Sequence, residues 1–227
     1  PIGISIDEAI NLANLADAHQ SIILPAVQRR YHPAYNKAAE LIQSLGPIKE
    51  AFMEIAITHK AKNWRADDSI RGAGALFDLG FHAVDLMLAL LGDLRLVTAT
   101  FFDDNNRLYH SNLDQRAELL LENEYDAPVS ICIARGVAKK NELVQIDSEQ
   151  FSLIVNRSSL EIKDKHSSKP IQSYSFDSSW AEAMEQQLNH FYDLVQNKHT
   201  LNDTLSTSLY ESSQAMKLIE QAYTYAK

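Results

Sequence analysis

The spacing of hydrophobic residues predicts three elements at the start of the chain. Ser5 and Glu8 fit a capping box, and apolar residues then recur at helical spacing. The apolar run that follows shows no alternation, as expected for a strand covered on both faces of a parallel sheet. Pro33 suits the first turn of the next helix and Gly46 its end. The predicted elements are a helix over 5–20, a strand over 21–28 and a helix over 33–46.

From Ile48 onward the apolar period changes to two, with Ala51, Met53, Ile55 and Ile57 on one face. This pattern predicts a strand. A long apolar helix follows, and after it come several short runs of strand type and two amphipathic helices. The first of these predictions is a helix over 75–91. The predicted strands are 94–102, 115–122, 129–137, 143–146, 151–155 and 173–176, with a polar loop over 163–169. The two final helices are one that starts near the cap Ser179 and carries the stripe Met184, Leu188, Phe191 and Val195, and one over 205–223.

Short connections between these strands indicate antiparallel neighbours. The fold class is therefore α+β, a mainly antiparallel open sheet with helices on one face, preceded by one helix and one strand. Several strands are apolar on both faces, as with Ala99 and Phe101 beside Leu96 and Phe102. The first explanation of these apolar faces is a homodimer or tetramer formed through the sheet face, and the alternative is a sheet with one exposed apolar surface.

The composition fits a folded globular protein, with 45% hydrophobic and 22% charged residues. A net charge of -9 disfavours nucleic acid and anionic membranes as partners and favours a small molecule or a protein. The single Cys132 lies in a strand pattern and is expected to be a buried structural thiol. The first residues lack the pattern of a signal peptide, which predicts a cytoplasmic protein. The helix at 75–91 carries three ionisable groups, so it is not expected to span a membrane.

Those three groups are Asp78, His82 and Asp85, at positions i, i+4 and i+7 of the helix. At about 100° per residue they fall on one stripe. Burial of an unpaired carboxylate is costly, so the stripe must face a pocket, a partner charge or water. Asp78 lies one turn from His82, close enough to pair with its imidazolium form. Gly80 between them indicates close approach of another backbone or of a ligand.

Three interpretations of this stripe follow from the spacing. His82 can be a catalyst, or a satisfied core residue beside an Asp85 that caps or bridges a neighbouring element. A histidine and two carboxylates can also ligate zinc or iron, but no recognised ligand spacing such as His-Glu-x-x-His is present. The prediction is that the chain binds no metal.

The run Gly72-Ala-Gly-Ala-Leu-Phe-Asp78-Leu-Gly-Phe-His82-Ala-Val-Asp85 resembles the glycine-rich signature of the Gfo/Idh/MocA oxidoreductases. The one local departure is Ala73, where three successive glycines are usual. Upstream, Arg30-Tyr-His-Pro33 resembles the link from the last Rossmann strand of that family into its second domain. Trp64-Arg65, the strand series and the two final helices follow in the order of the family. The resemblance therefore extends along nearly all of the chain.

The resemblance implies an NAD(P)-dependent oxidoreductase that acts on a sugar, a polyol or a related hydroxy compound. His82 is then the general acid/base for a substrate hydroxyl, and Asp78 orients it or contacts the substrate. The usual imidazole pKa of about 6.5 suits this exchange near neutral pH. The residues expected to line the substrate pocket are Arg30, Trp64, Arg65 and Asp85, with a structural ion pair as the alternative for Arg30.

Members of the family begin with a dinucleotide-binding domain that ends in a Glu-Lys-Pro motif, and its lysine is catalytic. Pro1 resembles the proline of that motif, so the lysine and the nucleotide loop are expected to be absent. No Gly-x-Gly-x-x-Gly follows a predicted strand. The expected division is a remnant of the dinucleotide-binding domain at 1–29 and a substrate-binding and oligomerisation domain at 30–227. NAD or NADP is expected in the full-length protein, whereas this fragment should bind it poorly and be inactive.

Two rival interpretations belong to other classes of protein. One is a non-catalytic interaction domain that kept the fold, for which a dimer with no open cleft at His82 would argue. The other is an enzyme that uses the free amine of Pro1 as a base, as tautomerases do. Neither accounts for the whole signature from Gly72 to Asp85.

Overall fold

The protein is an α+β domain built on one eight-stranded sheet. The structure is a computed structural model that describes residues 3–67, 74–105, 108, 113–167, 169–196 and 209–225. Its helices are α1 (Ile6–Ala18), α2 (Pro33–Ile42), α3 (Phe81–Leu91), α4 (Ala181–Val195) and α5 (Leu209–Tyr225). Its strands are β1 (Ile48–Ile57), β2 (Leu94–Phe102), β3 (Arg116–Asn123), β4 (Pro128–Arg135), β5 (Asn141–Ser148), β6 (Phe151–Val155), β7 (Ser159–Asp164) and β8 (Pro170–Ser175).

The strand order is β2-β3-β4-β1-β5-β6-β7-β8, and only the β1–β4 pair is parallel. Helices α2, α3 and α5 pack on the sheet, where α2 contacts β6 and β7, α3 contacts β1, and α5 contacts β2. The inward side chains of the central strands are fully buried beneath them, for example Met53, Ile131 and Ile133. This architecture confirms the predicted fold class.

The first helix begins as predicted, because the Ser5 hydroxyl accepts a hydrogen bond from the Glu8 amide at 3.2 Å. The strand expected at 21–28 does not form. Residues 21–27 carry no regular structure, and a 3₁₀ turn follows at Gln28–Tyr31. A strand needs a hydrogen-bonding neighbour, and the described residues supply none to this segment.

Two other elements differ from the sequence predictions. β7 was not predicted, and its last two residues lie in the stretch predicted as a loop. The alternation of Leu160 and Ile162 with Glu161 and Lys163 is the strand pattern that indicates it. The predicted cap Ser179 does not cap α4. The N-cap position is Trp180, whose side chain makes no hydrogen bond to the helix. None of the helices within the described residues is both long and apolar enough to cross a membrane.

Candidate active site

The signature segment enters α3 through a π turn at Leu76–Gly80. A π turn spans five residues per hydrogen bond instead of four, and such turns occur frequently at functional sites. Gly80 leaves room for Leu76 in this turn, because a Cβ on it would lie 2.5 Å from Cδ1 of Leu76. The close approach at this glycine thus comes from a side chain of its own turn. Gly72 and Ala73 lie outside the described residues.

The carboxylate of Asp78 is held by two guanidinium groups. Arg65 Nε donates to Oδ2 at 2.8 Å, and Arg135 Nη2 donates to the same oxygen at 3.2 Å. The expected pair between Asp78 and His82 does not form. The expectation assumed α-helical spacing, and the π turn changes the angle between these two positions.

The His82 imidazole lies one turn further along, and its Nδ1 is buried without a hydrogen-bond partner in the described part of the chain. Burial above all, together with the nearby positive charge of Arg29, lowers the pKa of His82 from 6.5 to about 3. The usual imidazole value of about 6.5 therefore does not apply to His82 in this environment. The ring is neutral at physiological pH and holds one N–H, and the same shift makes it a weaker base than an ordinary histidine.

Asp85 and Arg30 form a buried ion pair with each other. Arg30 Nε donates to Oδ2 at 2.8 Å and Nη2 donates to Oδ1 at 2.9 Å, and both side chains are at most 5% exposed. Burial raises the pKa of Asp85, and the hydrogen bonds and charge of Arg30 partly offset this rise. The pair joins the 3₁₀ turn at Gln28–Tyr31 to α3. This geometry matches the alternative of a structural ion pair for Arg30.

Asp114 ties the start of the π turn to α5. Its carboxylate accepts hydrogen bonds from the Leu76 amide at 2.8 Å and from the Tyr223 hydroxyl at 2.7 Å, and its carbonyl accepts one from the Ala75 amide at 2.8 Å. Complete burial raises the pKa of this carboxyl to about 6. The amides of Ala75 and Leu76 at this helix end are therefore already bonded to Asp114, the first to its carbonyl and the second to its carboxylate.

Arg135 holds the same turn from the sheet. Besides Asp78, its Nη2 contacts the carbonyl of Gly74 at 3.1 Å, and its side chain is 2% exposed. Desolvation lowers the pKa of Arg135, and the charges of Asp78 and Asp114 act against that change. Sequence reasoning missed both Asp114 and Arg135. The sequence offered one signal for each: Asp114 is a charged residue just before an apolar strand, and Arg135 is a charged residue at the end of another.

A second cluster of charges lies around Glu142, at the start of β5. Arg29 donates to both carboxylate oxygens at 3.1 and 3.2 Å, and the Tyr35 hydroxyl donates to Oε1 at 2.8 Å. Arg29 and Arg157 lie over the Trp180 ring at 5.3 and 4.7 Å from its centroid. The cluster fixes Arg29, whose charge acts on His82.

The remaining candidates lie before the π turn. Trp64 and Arg65 belong to a 3₁₀ turn at Asn63–Ala66, and Arg65 reaches Asp78 from there. The Trp64 side chain lies outside the described part of the structure. Over the described residues, no group of three His, Cys, Asp or Glu side chains is arranged to hold a metal ion.

Residues 35–160 match the family model described as the GFO/IDH/MocA C-terminal domain. The chain belongs to this family. It is 27% identical over 178 residues to an uncharacterized oxidoreductase of Synechocystis sp. PCC 6803, an alignment that spans 70% of this chain but only 47% of the relative. The chain thus matches about half the length of this curated relative.

Two solved structures share the fold. An oxidoreductase from Thermotoga maritima superposes with a TM-score of 0.81 at 17% identity, over 100% of this chain and 67% of that one. A levoglucosan dehydrogenase in complex with NADH and levoglucosan superposes with a TM-score of 0.81 at 15% identity, over 99% of this chain and 69% of that one. At these identities the likeness shows the fold of this Gfo/Idh/MocA chain and nothing finer.

Proposed function

We propose that this chain forms the substrate side of the active site of an NAD(P)-dependent oxidoreductase whose substrate is a sugar, a polyol or a related hydroxy compound. The observation that carries the proposal is His82, a neutral imidazole with a buried, unpartnered Nδ1 in the signature segment of an oxidoreductase family. The ring nitrogen that holds no proton can accept the proton of a substrate hydroxyl. Because the low pKa makes His82 a weaker base than an ordinary histidine, the proposal rests on the position of the ring and its unpartnered Nδ1. The levoglucosan complex of a structural neighbour supports the substrate class.

In this proposal the two arginines at Asp78 set the shape of the pocket. Arg135 is buried and fixes Asp78 to the sheet, whereas Arg65 is 44% exposed and reaches the same oxygen from a short turn. A substrate hydroxyl can compete for the accessible side of this carboxylate. Arg30 and Asp85 act through α3, because their mutual hydrogen bonds leave little of either side chain exposed.

The described residues do not fit a nicotinamide dinucleotide by themselves. A dinucleotide binds where a glycine-rich loop joins a strand to a helix N-terminus with open amides. Here the amides of Ala75 and Leu76 are bonded to Asp114, and residues 21–27 form no strand after α1. We therefore derive only proton transfer at His82 from this chain and propose that a separate domain binds the cofactor, with residues 1–29 belonging to it.

Replacement of His82 tests the proposed role. In the full-length gene product, assayed with sugars and polyols and with NAD and NADP in turn, His82→Ala should lower turnover by about 10²–10⁴-fold, the usual contribution of a general base. His166→Ala is the matched control, because His166 is exposed on a loop after β7. Unchanged turnover in His82→Ala would remove this residue from the mechanism and favour the non-catalytic interaction domain.

Isothermal titration of the 227-residue chain with NAD and with NADP tests whether a separate domain is needed to bind the cofactor. We expect no measurable heat of binding and no turnover from this chain alone. Binding in the micromolar range would contradict the proposal, because it would require a dinucleotide site among these residues.

We also propose that the open face of the sheet joins copies of the chain into a homodimer or tetramer. Leu120 and Phe52 lie in one row across this face, because each is the strand-pairing partner of Ser130 on β4. Light scattering after size exclusion should give an oligomer for the chain and a monomer for Leu120→Glu. A monomeric wild-type chain would contradict this part of the proposal.

A further inference from the structure

Helix α4 is oriented with its polar face toward the protein. Gln187 Nε2 donates to the Pro25 carbonyl at 3.5 Å, and Nδ1 of His190 lies 2.7 Å from the Tyr31 hydroxyl. The predicted stripe of Met184, Leu188, Phe191 and Val195, with Tyr192 beside it, is between 38% and 68% exposed. The predicted fold places the helices on one face of the sheet, but this apolar stripe is not buried against it.

An apolar stripe at i, i+4, i+7 and i+11 is the pattern of a helix that packs against another surface. Nine of the thirteen exposed large hydrophobic side chains of the described residues lie on α4 or within residues 4–22. The two regions adjoin, since Gln187 contacts the segment that follows α1. A concentration of exposed apolar side chains of this kind marks an interaction site on a folded protein.

We propose that the α4 stripe, defined as Met184, Leu188, Phe191, Tyr192 and Val195, is the docking surface for a nucleotide-binding α/β domain. The inference rests on the proposed function, which requires a cofactor-binding domain beside His82. Helix α4 packs on the 3₁₀ turn that carries Arg29, and the charge of Arg29 acts on His82. A domain seated on α4 would thus lie at the edge of the candidate active site.

The lengths of the two solved neighbours support the same occupant of the α4 stripe. The superpositions extend over all or nearly all of this chain but over only 67% and 69% of the two neighbours. Those oxidoreductases therefore contain about a third of their length beyond the shared fold. A domain of that size is large enough to cover one helix face.

The charges of α4 argue against a second copy as the occupant. The helix carries Glu182, Glu185 and Asp193 and has no lysine or arginine. Two α4 helices packed on each other would bring six carboxylates together without a compensating cation on either helix. The fitting partner is apolar at its centre and neutral or basic at its rim.

The experiment compares α4 in the 227-residue chain and in the full-length gene product. In the chain alone, α4 amides should exchange with deuterium about tenfold or more faster than in the full-length product. Leu188→Glu should abolish that difference and lower the urea midpoint of the full-length product only. Ile171→Glu is the matched control, because Ile171 is 55% exposed on the edge strand β8. It should leave the α4 exchange unchanged in both proteins.

Three outcomes would overturn the proposal. They are equal α4 exchange in both proteins, a full-length product without a nucleotide-binding domain, and a dimer of the 227-residue chain that Leu188→Glu converts to a monomer. The last outcome would identify a second copy as the occupant. The result is separable from the His82→Ala assay, because protection of α4 can be found whether or not His82 is needed for turnover.

Discussion

The signature segment and α4 differ in which of their groups are satisfied within this chain. Around the π turn and α3, every charged side chain of the site has a partner, as in Arg30 with Asp85 and Arg135 with Asp78. On α4, polar groups meet the protein and apolar side chains meet water. The difference is that the charges of one region are paired within this chain, whereas the apolar stripe of the other is left exposed.

The largest expected effect comes from the region of paired charges. Arg30→Met leaves the Asp85 carboxylate buried without its partner, and breaking such a pair costs about 3–5 kcal/mol of unfolding free energy. Urea denaturation followed by circular dichroism measures the loss. The double variant Arg30→Met/Asp85→Leu should regain much of the stability, because no charge remains buried. A single variant within about 0.5 kcal/mol of wild type, the range of ordinary surface changes, would break the comparison.

Asp114 should make stability depend on pH. Its folded pKa of about 6 lies above its ordinary value of 3.8, so the folded state binds this proton more tightly than the unfolded state. The resulting stability is fully present below pH 3.8 and is lost as the pH rises through about 6. Two pKa units correspond to about 2–3 kcal/mol.

The measurement is the difference in unfolding free energy between the wild type and Asp114→Asn across pH 4 to 7. Subtraction removes the titration of the eight histidines, which both proteins share. The wild type should lose stability relative to the variant as the pH rises. A difference that stays constant with pH would mean that Asp114 is not buried in this way.

A smaller effect is expected at the π turn itself. Gly80→Ala would place a Cβ 2.5 Å from Cδ1 of Leu76, which overpacks the core. Overpacking costs about 1–3 kcal/mol, and the better helix propensity of alanine returns about 0.5–1 kcal/mol. We expect a net loss of about 1 kcal/mol by urea denaturation. The control is Leu76→Ala, which should cost less in the Gly80→Ala background than in wild type, since it removes the clash.

Much of the architecture follows from apolar periodicity. β2, β6 and the helix capped by Ser5 lie within two residues of their predicted bounds, because local patterns determine them. The failures are non-local. Residues 21–27 have the composition of a buried strand, but no strand pairs with them in the part of the chain that the structure describes. The amphipathic pattern of α4 cannot reveal which face meets the protein.

The candidate site shows the same limit. Helical spacing predicted Asp78, His82 and Asp85 as one stripe, but it could not predict the guanidinium groups that hold two of them. Arg135 lies 57 residues from Asp78, and Arg30 lies 55 residues from Asp85. The sheet and the 3₁₀ turn bring these residues together, so no spacing along the chain could predict the pairs. The low pKa of His82 likewise comes from burial in the assembled fold.

The smallest effect is expected where the same residue type occurs in both regions. Leu86 on α3 is fully buried, whereas Leu188 on α4 is 68% exposed. In the 227-residue chain, Leu188→Ala should change the unfolding free energy by no more than about 0.5 kcal/mol, as for other surface substitutions. Leu86→Ala is the control and should cost about 2–5 kcal/mol, because it leaves a cavity in the core. A loss of similar size in both variants would mean that Leu188 is already covered in this chain, and the contrast between the two helices would then fail.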